Sequence, residues 1–309
     1  MVDVIYIKAA GATVLCLATL FVNIPVVIVT TRSERLKEDL VTRVMTSLAV
    51  SDIINGGGIS CLAAFIAWIQ PSTVPDAFTQ THGMLFYLFA HNAFWHLAFA
   101  SVIKCVVIVW PLTYSDIITD RRINLMLSAI WIINIAADFI FFAIGVRYGF
   151  DWIQILPNLA NYFLVLPPIG IISFFAATIC MIICYTKIFI VVRKTLASTA
   201  PDGMFAGSAA TSAGIQTSQI KEKFLLNVRS AKTICIICAT FLLSYLPYIL
   251  RGMFAYNNVA FTFFSRWIFD VGSATNGLLY LVLHKKVREE CKKMFSFGKV
   301  SDNLKRSSR

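Results

Sequence analysis

The chain has 309 residues, 58% of them apolar and only 14% charged, with a mean hydropathy of +0.75 and a net charge of +11. A soluble domain needs about 25% charged residues to cover its surface, so a soluble enzyme or binding module is excluded. The composition is that of a polytopic membrane protein.

Seven apolar stretches are long enough to cross a bilayer, which takes about 20 residues each as a helix. The first, 4–31, is too long for a signal peptide and is followed by Arg32, Arg35 and Lys37, so it reads as a signal anchor. The next four are 41–69, 79–110, 122–145 and 160–192. A segment rich in Ala, Ser, Thr and Gly, 195–219, then reads as a flexible loop. The last two spans are 223–256 and 261–284. After them "HKKVREECKKMFSF" reads as a short amphipathic helix lying in the membrane interface, with Cys291 a candidate for palmitoylation. Residues 1–297 thus form one domain and 298–309 a basic tail. Leu, Ile, Ala and Phe run throughout the spans, which favours helices over barrel strands. The expected fold is all-α: a seven-transmembrane helix bundle with an interfacial helix after the seventh span.

Apart from Lys8, Arg147, Arg251 and Arg266, every Lys and Arg falls on one side of these spans. That asymmetry places the N-terminus outside and the C-terminus in the cytosol. The net charge of +11 is mostly this asymmetry, and attraction to anionic inner-leaflet lipid, rather than to nucleic acid, follows from it. All eight cysteines lie in spans or on the basic side and none in the loop 146–160, so no disulfide forms in that loop. No nucleophile–base pair or metal-ligand spacing suggests an enzyme.

The spans carry a series of motifs in order. Span one has Asn23 in "FVNIPVVIV", span two ends "SLAVSD" at Asp52, and span three ends "SVIKCVVIVWPLTY". Span four holds Trp131 and span five Tyr185 in "CYTKIF". Span six has Phe241 and Pro247 in "AKTICIICATFLLSYLPY", and span seven has Asn276 and Tyr280 in "NGLLY". Over essentially its whole length the chain resembles the rhodopsin-like (class A) G-protein-coupled receptors. The resemblance implies a plasma-membrane receptor that couples a small-molecule ligand to heterotrimeric G proteins.

An ionised carboxylate inside a span costs roughly 2.5–3.5 kcal/mol on insertion scales, so Asp52 needs partners within the bundle. Asn23, Ser273 and Asn276 are the candidates, and in the family this cluster holds a sodium ion and water; no other cofactor is implied. Pro247 removes one backbone hydrogen bond and kinks span six. The resemblance makes Lys104, Tyr185, Phe241, Tyr245, Pro247 and Tyr280 the activation switch.

The chain also departs from the family. Ile103-Lys104-Cys105 stands where the family has an acid, Arg and an aromatic. Lys104 keeps the charge without the planar fork of Arg. Ile103 cannot pair with it, and Asn227 stands where span six often supplies an acid, so a resting ion pair of that kind is absent. Tyr245 replaces a tryptophan, Gly277 a proline, Ala177 a proline and Thr79 the disulfide cysteine. Lost resting contacts with Tyr185 and Tyr280 retained imply raised basal signalling.

The expected ligand lining is Phe86, Tyr87, Ala90, His91, Tyr248, Arg266 and Asp270. Phe86 occupies the position where amine receptors carry aspartate, and Asp270 the position of the opsin lysine. Arg266 and Asp270, four apart on one helix, pair with each other or read a zwitterion. Asp138 has no evident partner. Two other readings stay open: a non-signalling receptor-like scaffold, and a proton conductor using Asp52, Asp138 and Asp270.

Overall fold

In a computed structural model the described residues are 2–59, 61, 76–147, 167–198, 212–253 and 259–294, and every regular element among them is helical. The long helices are α1 (Val2–Arg32), α2 (Leu40–Asp52), α3 (Asp76–Val109), α4 (Asp120–Arg147), α5 (Pro167–Ser198), α6 (Ser212–Met253) and α7 (Val259–Leu283). A helix over 285–294, α8, follows, and α2 continues as a π-helix, Ile53–Ile59. Five of the described helices contain an apolar run long enough to cross a membrane, and a shorter apolar run, Val271–Leu283, lies in α7.

The helices keep their polar groups satisfied within themselves. Thr13, Thr19, Thr30, Ser101, Thr178, Thr240, Ser244 and Thr275 each donate a hydroxyl to the carbonyl four residues earlier. In hydrocarbon that removes a cost of several kcal/mol per unsatisfied group. What remains for side chains is packing. α3 touches α2, α4, α5 and α6, and 67% of its apolar window is buried. α4 has only 11% buried and turns Leu125, Ile132, Ile133, Phe139 and Ile140 outward, as a helix with one protein face and a wide lipid face must.

Two glycines bring backbones together. A Cβ on Gly56 would lie 2.8 Å from Thr19 Cγ2, and one on Gly277 would lie 2.5 Å from Asn23 Oδ1. The first holds the π-helix against α1 and the second seats Asn23 on α7. Gly277, which stands where the family has a proline, is the residue that lets α1 approach the seventh helix.

Of the segment expected as a flexible loop, 195–219, both ends are helical: α5 runs on to Ser198 and α6 starts at Ser212. Once nucleated, a helix gains one hydrogen bond per residue added, and polar residues such as Gln216 and Gln219 continue it beyond the apolar span. Residues 199–211 and 298–309 lie outside the described residues.

Gly56→Ala forces a methyl against a β-branched neighbour whose hydroxyl is already bonded to Leu15, so overpacking of about 1–3 kcal/mol is expected. Gly58, with nothing within 4 Å of its Cβ position, is the control. Thermal unfolding of the detergent-purified protein should show a lowered midpoint for Gly56→Ala and none for Gly58→Ala.

Candidate functional site

At the basic end of the bundle the inner ends of α3, α6 and α7 meet α8 and the turn between α1 and α2 around a cavity of about 500 Å³. Lys104 lines it, yet is only 4% exposed. Ile103 packs in the core and brings no charge. Asp39 reaches the same cavity from the N-cap of α2, where its carboxylate accepts from the Val41 backbone N–H at 3.2 Å. Its other oxygen lies 3.5 Å from Lys286 Nζ. Burial alone would raise the Asp39 carboxyl, but the charges of Lys104 and Lys286 hold it below the ordinary carboxylate value. His284, at the α7–α8 junction, is buried beside the same cavity. Its Nε2 is 3.4 Å from Ser230 Oγ of α6.

α8 is tied to the α1–α2 turn. Ser33 Oγ donates to Glu290 at 3.2 Å, and Arg35 lies 3.7 Å from Glu289. Val287 is fully buried, while Cys291 and Met294 pack partly buried against the same core. Cys291, the expected lipidation candidate, thus belongs to the face turned toward the bundle.

The residues expected to form the switch lie in two layers. Phe94 of α3, Phe174 of α5, and Phe241 and Tyr245 of α6 form one aromatic cluster beside Pro247, with Phe94 4.5 Å from Tyr245 and 5.4 Å from Phe241 and Phe174 between ring centroids. Nearer the basic end, the Tyr185 hydroxyl is 3.3 Å from Ser101 Oγ and 3.9 Å from Cys238 Sγ, at the seam of α3 and α6. Tyr280 is fully buried and donates to Thr42 Oγ1 of α2 at 3.0 Å.

The polar core assembles as the intramembrane carboxylate demands. Asp52, Asn23 and Asn276 line one small cavity, Asn276 Nδ2 is buried there without a hydrogen-bond partner, and Asn23 Nδ2 donates to the Ser273 carbonyl at 3.1 Å. Asp52 Oδ2 and Asn23 Oδ1 are buried without a hydrogen-bond partner, and a cavity of about 10 Å³ lies beside them, room for one water-sized occupant.

The expected ligand lining is not brought together to the same degree. Ala90 is buried in the core and Tyr248 packs partly buried against it. The side chains of Phe86, Tyr87, Arg266 and Asp270 lie outside what is described. His91 is engaged elsewhere: its Nδ1 is 3.2 Å from Asp138 Oδ1, with both side chains buried, and its Nε2 faces Gly170 of α5. Asp138 therefore has a partner, and the His91 ring lies against α4 and α5.

A second α2–α3–α4 network was not legible. The Trp131 indole N–H donates to Ser47 Oγ at 3.0 Å, and Ser47 Oγ is 2.8 Å from His96 Nε2. His96 Nδ1 is 2.7 Å from the Asn92 carbonyl, which can only accept. Nδ1 is then the protonated nitrogen, and the Ser47 hydroxyl donates to Nε2. Only the tryptophan had a signal in the sequence, and its partners look like ordinary packing residues.

The family model described as 7 transmembrane receptor (rhodopsin family) matches residues 22–280. The chain is 25% identical over 240 residues to trace amine-associated receptor 8b of Rattus norvegicus, covering 73% of this chain and 67% of that one. It is 24% identical over 311 residues to the histamine H2 receptor of Canis lupus familiaris, covering 96% and 81%. In fold it is similar to squid rhodopsin, with a TM-score of 0.73 at 18% identity over 96% of this chain and 87% of that one.

Ser47→Ala removes the one group that serves both Trp131 and His96, leaving two buried polar atoms unpaired at about 1–3 kcal/mol each. The thermal midpoint should fall clearly, whereas Thr275→Ala, at an exposed site, should leave it in place.

Proposed function

The chain belongs to the rhodopsin family of seven-transmembrane receptors, and we infer from that membership that it couples a small extracellular ligand to heterotrimeric G proteins. It is a multi-pass membrane receptor and not an enzyme. The finer reading sets the receptor in the plasma membrane with α8 and the 500 Å³ cavity on the cytosolic side. The basic residues gathered at that end support this orientation.

The observation that carries the reading is the cavity itself. It opens between α3, α6 and α7, holds the buried cation of Lys104, and is bordered by Tyr114 of the α3–α4 connection. In that connection Leu112 is 92% exposed. A charge-bearing pocket beside an exposed apolar side chain suits a partner helix that offers both acceptors and apolar surface. Tyr280 held on Thr42, away from Lys104, fits a silent conformation in which α7 is tied to α2.

The amine in the relatives' names does not transfer directly. Phe86 offers no carboxylate where an amine would need one, which leaves Asp270 of α7 as the acid for a cationic or zwitterionic ligand. In the polar core, the unpaired oxygens of Asp52 and Asn23 are hard donors suited to a sodium ion or a water. A bound sodium would supply positive charge to the Asp52 carboxylate and hold α2 to α1.

Two measurements test these readings. Nucleotide exchange by heterotrimeric G proteins should be catalysed by the native chain in nanodiscs and fall at least several-fold for Lys104→Ala at equal receptor concentration. Exchange unchanged by that substitution would remove Lys104 from the coupling site. The thermal midpoint should rise in sodium chloride relative to choline chloride, and Asp52→Asn should abolish the difference; equal midpoints in both salts for the native chain would argue for water alone.

A further inference from the structure

Lys104 has lost the acid that should precede it, yet it is not a free cation. Among the described residues no carboxylate comes within 4.0 Å of its ammonium, and no hydrogen-bond acceptor holds it. It is nevertheless 4% exposed, so its charge needs compensation from nearby. Three acids line the same cavity: Asp39, Glu222 and Glu289. Glu222 is exposed to solvent, and Glu289, 38% exposed, is shared between Arg35 and Lys285. Asp39 differs from both. Its side chain is 14% exposed and is fixed in direction by the N-cap bond to Val41. Its charge attracts Lys104, while that of Lys286 repels it.

We propose that Asp39 is the counter-charge that holds Lys104 in the silent receptor, so that the acid missing at position 103 is supplied from the N-cap of α2. Asp39 acts as a positioning residue. It shares the cavity with Lys104 of α3 and Lys286 of α8, one anion for two cations, and draws Lys104 toward the α1–α2 turn rather than toward the cavity mouth and α6. The cluster retains one surplus positive charge, which leaves Lys104 available to an incoming acceptor. This rests on the reading of the cavity as the G-protein site, and it supplies from another helix the counter-charge that the sequence lacks at positions 103 and 227.

Asp39→Asn isolates the charge, because asparagine caps a helix as well as aspartate does. In nanodiscs, ligand-free nucleotide exchange by heterotrimeric G proteins should rise on the order of five-fold in Asp39→Asn, as removal of one attractive contact from a two-state equilibrium allows. Asp39→Glu should return it toward the native level, and Asp39→Asn should add nothing once Lys104→Met is present. Exchange equal to native in Asp39→Asn, or the same rise in the Lys104→Met background, would overturn the proposal. If no form catalyses exchange, the G-protein reading fails, and the spin-label distance between positions 122 and 226 decides the inference separately. A shift to longer distances in Asp39→Asn supports Asp39 as the restraint on the inner ends, and an unchanged distribution refutes it.

Discussion

A lysine ammonium buried at the inner end of the central helix sets the terms for the rest of this structure. Lys104 sits on α3, which touches α2, α4, α5 and α6, so whatever balances its charge also fixes how those helices meet. Charged side chains inside a bundle persist only where the bundle supplies partners or water. Here both are present in limited measure: an aspartate on the neighbouring helix cap and a cavity open to the basic end. The lysine is thereby held without being bonded, and a held but unbonded charge is easily redirected.

The remaining contacts divide into those that resist rearrangement and those that permit it. Asn23 on Gly277, the Ser47–His96–Trp131 network and the His91–Asp138 pair join helices by close backbone approach or by buried hydrogen bonds, and none has slack. The α6 side is softer. It meets α3 through aromatic rings beside Pro247 and through the weak sulfur contacts of Cys238. Edge-to-face rings can slide with little loss, whereas buried polar pairs cannot. α6 is therefore the helix most readily displaced, its inner end tied among the described residues by the 3.4 Å hydrogen bond of Ser230 with His284 and by Phe224 and Ala231 packing against Cys105, Ile108, Cys184 and Ile188.

Much of this was legible because membranes punish unpaired polarity. Asn23, Asp52, Ser273 and Asn276 are polar residues at matching depths in three spans, and hydrocarbon leaves them one another as partners. Pro247 and its aromatics announce themselves by type. Asp39 was not legible, because it lies just outside a span, where an aspartate before an apolar run looks like an ordinary helix cap. Asp138 looked unpartnered and His91 looked like ligand lining, since the rotation of α3 against α4 is set by packing that no local pattern encodes. Gly277 read as a flexible substitute for proline, and only the position of Asn23 reveals it as the residue that admits a neighbouring helix.

The central claim is that Asp39 and Lys104 act on each other across the inner cavity, and a double-mutant cycle on thermal stability tests it most directly. Asp39→Asn, Lys104→Met and the double variant would be unfolded in the same nanodiscs, with surface-exposed Glu222→Gln as a reference partner for Lys104→Met. The account predicts non-additive effects for the Asp39–Lys104 cycle, with a coupling on the order of 1 kcal/mol, and additive effects for the Glu222 cycle. Additive losses in the Asp39–Lys104 cycle would mean that the two charges do not interact, and would contradict it.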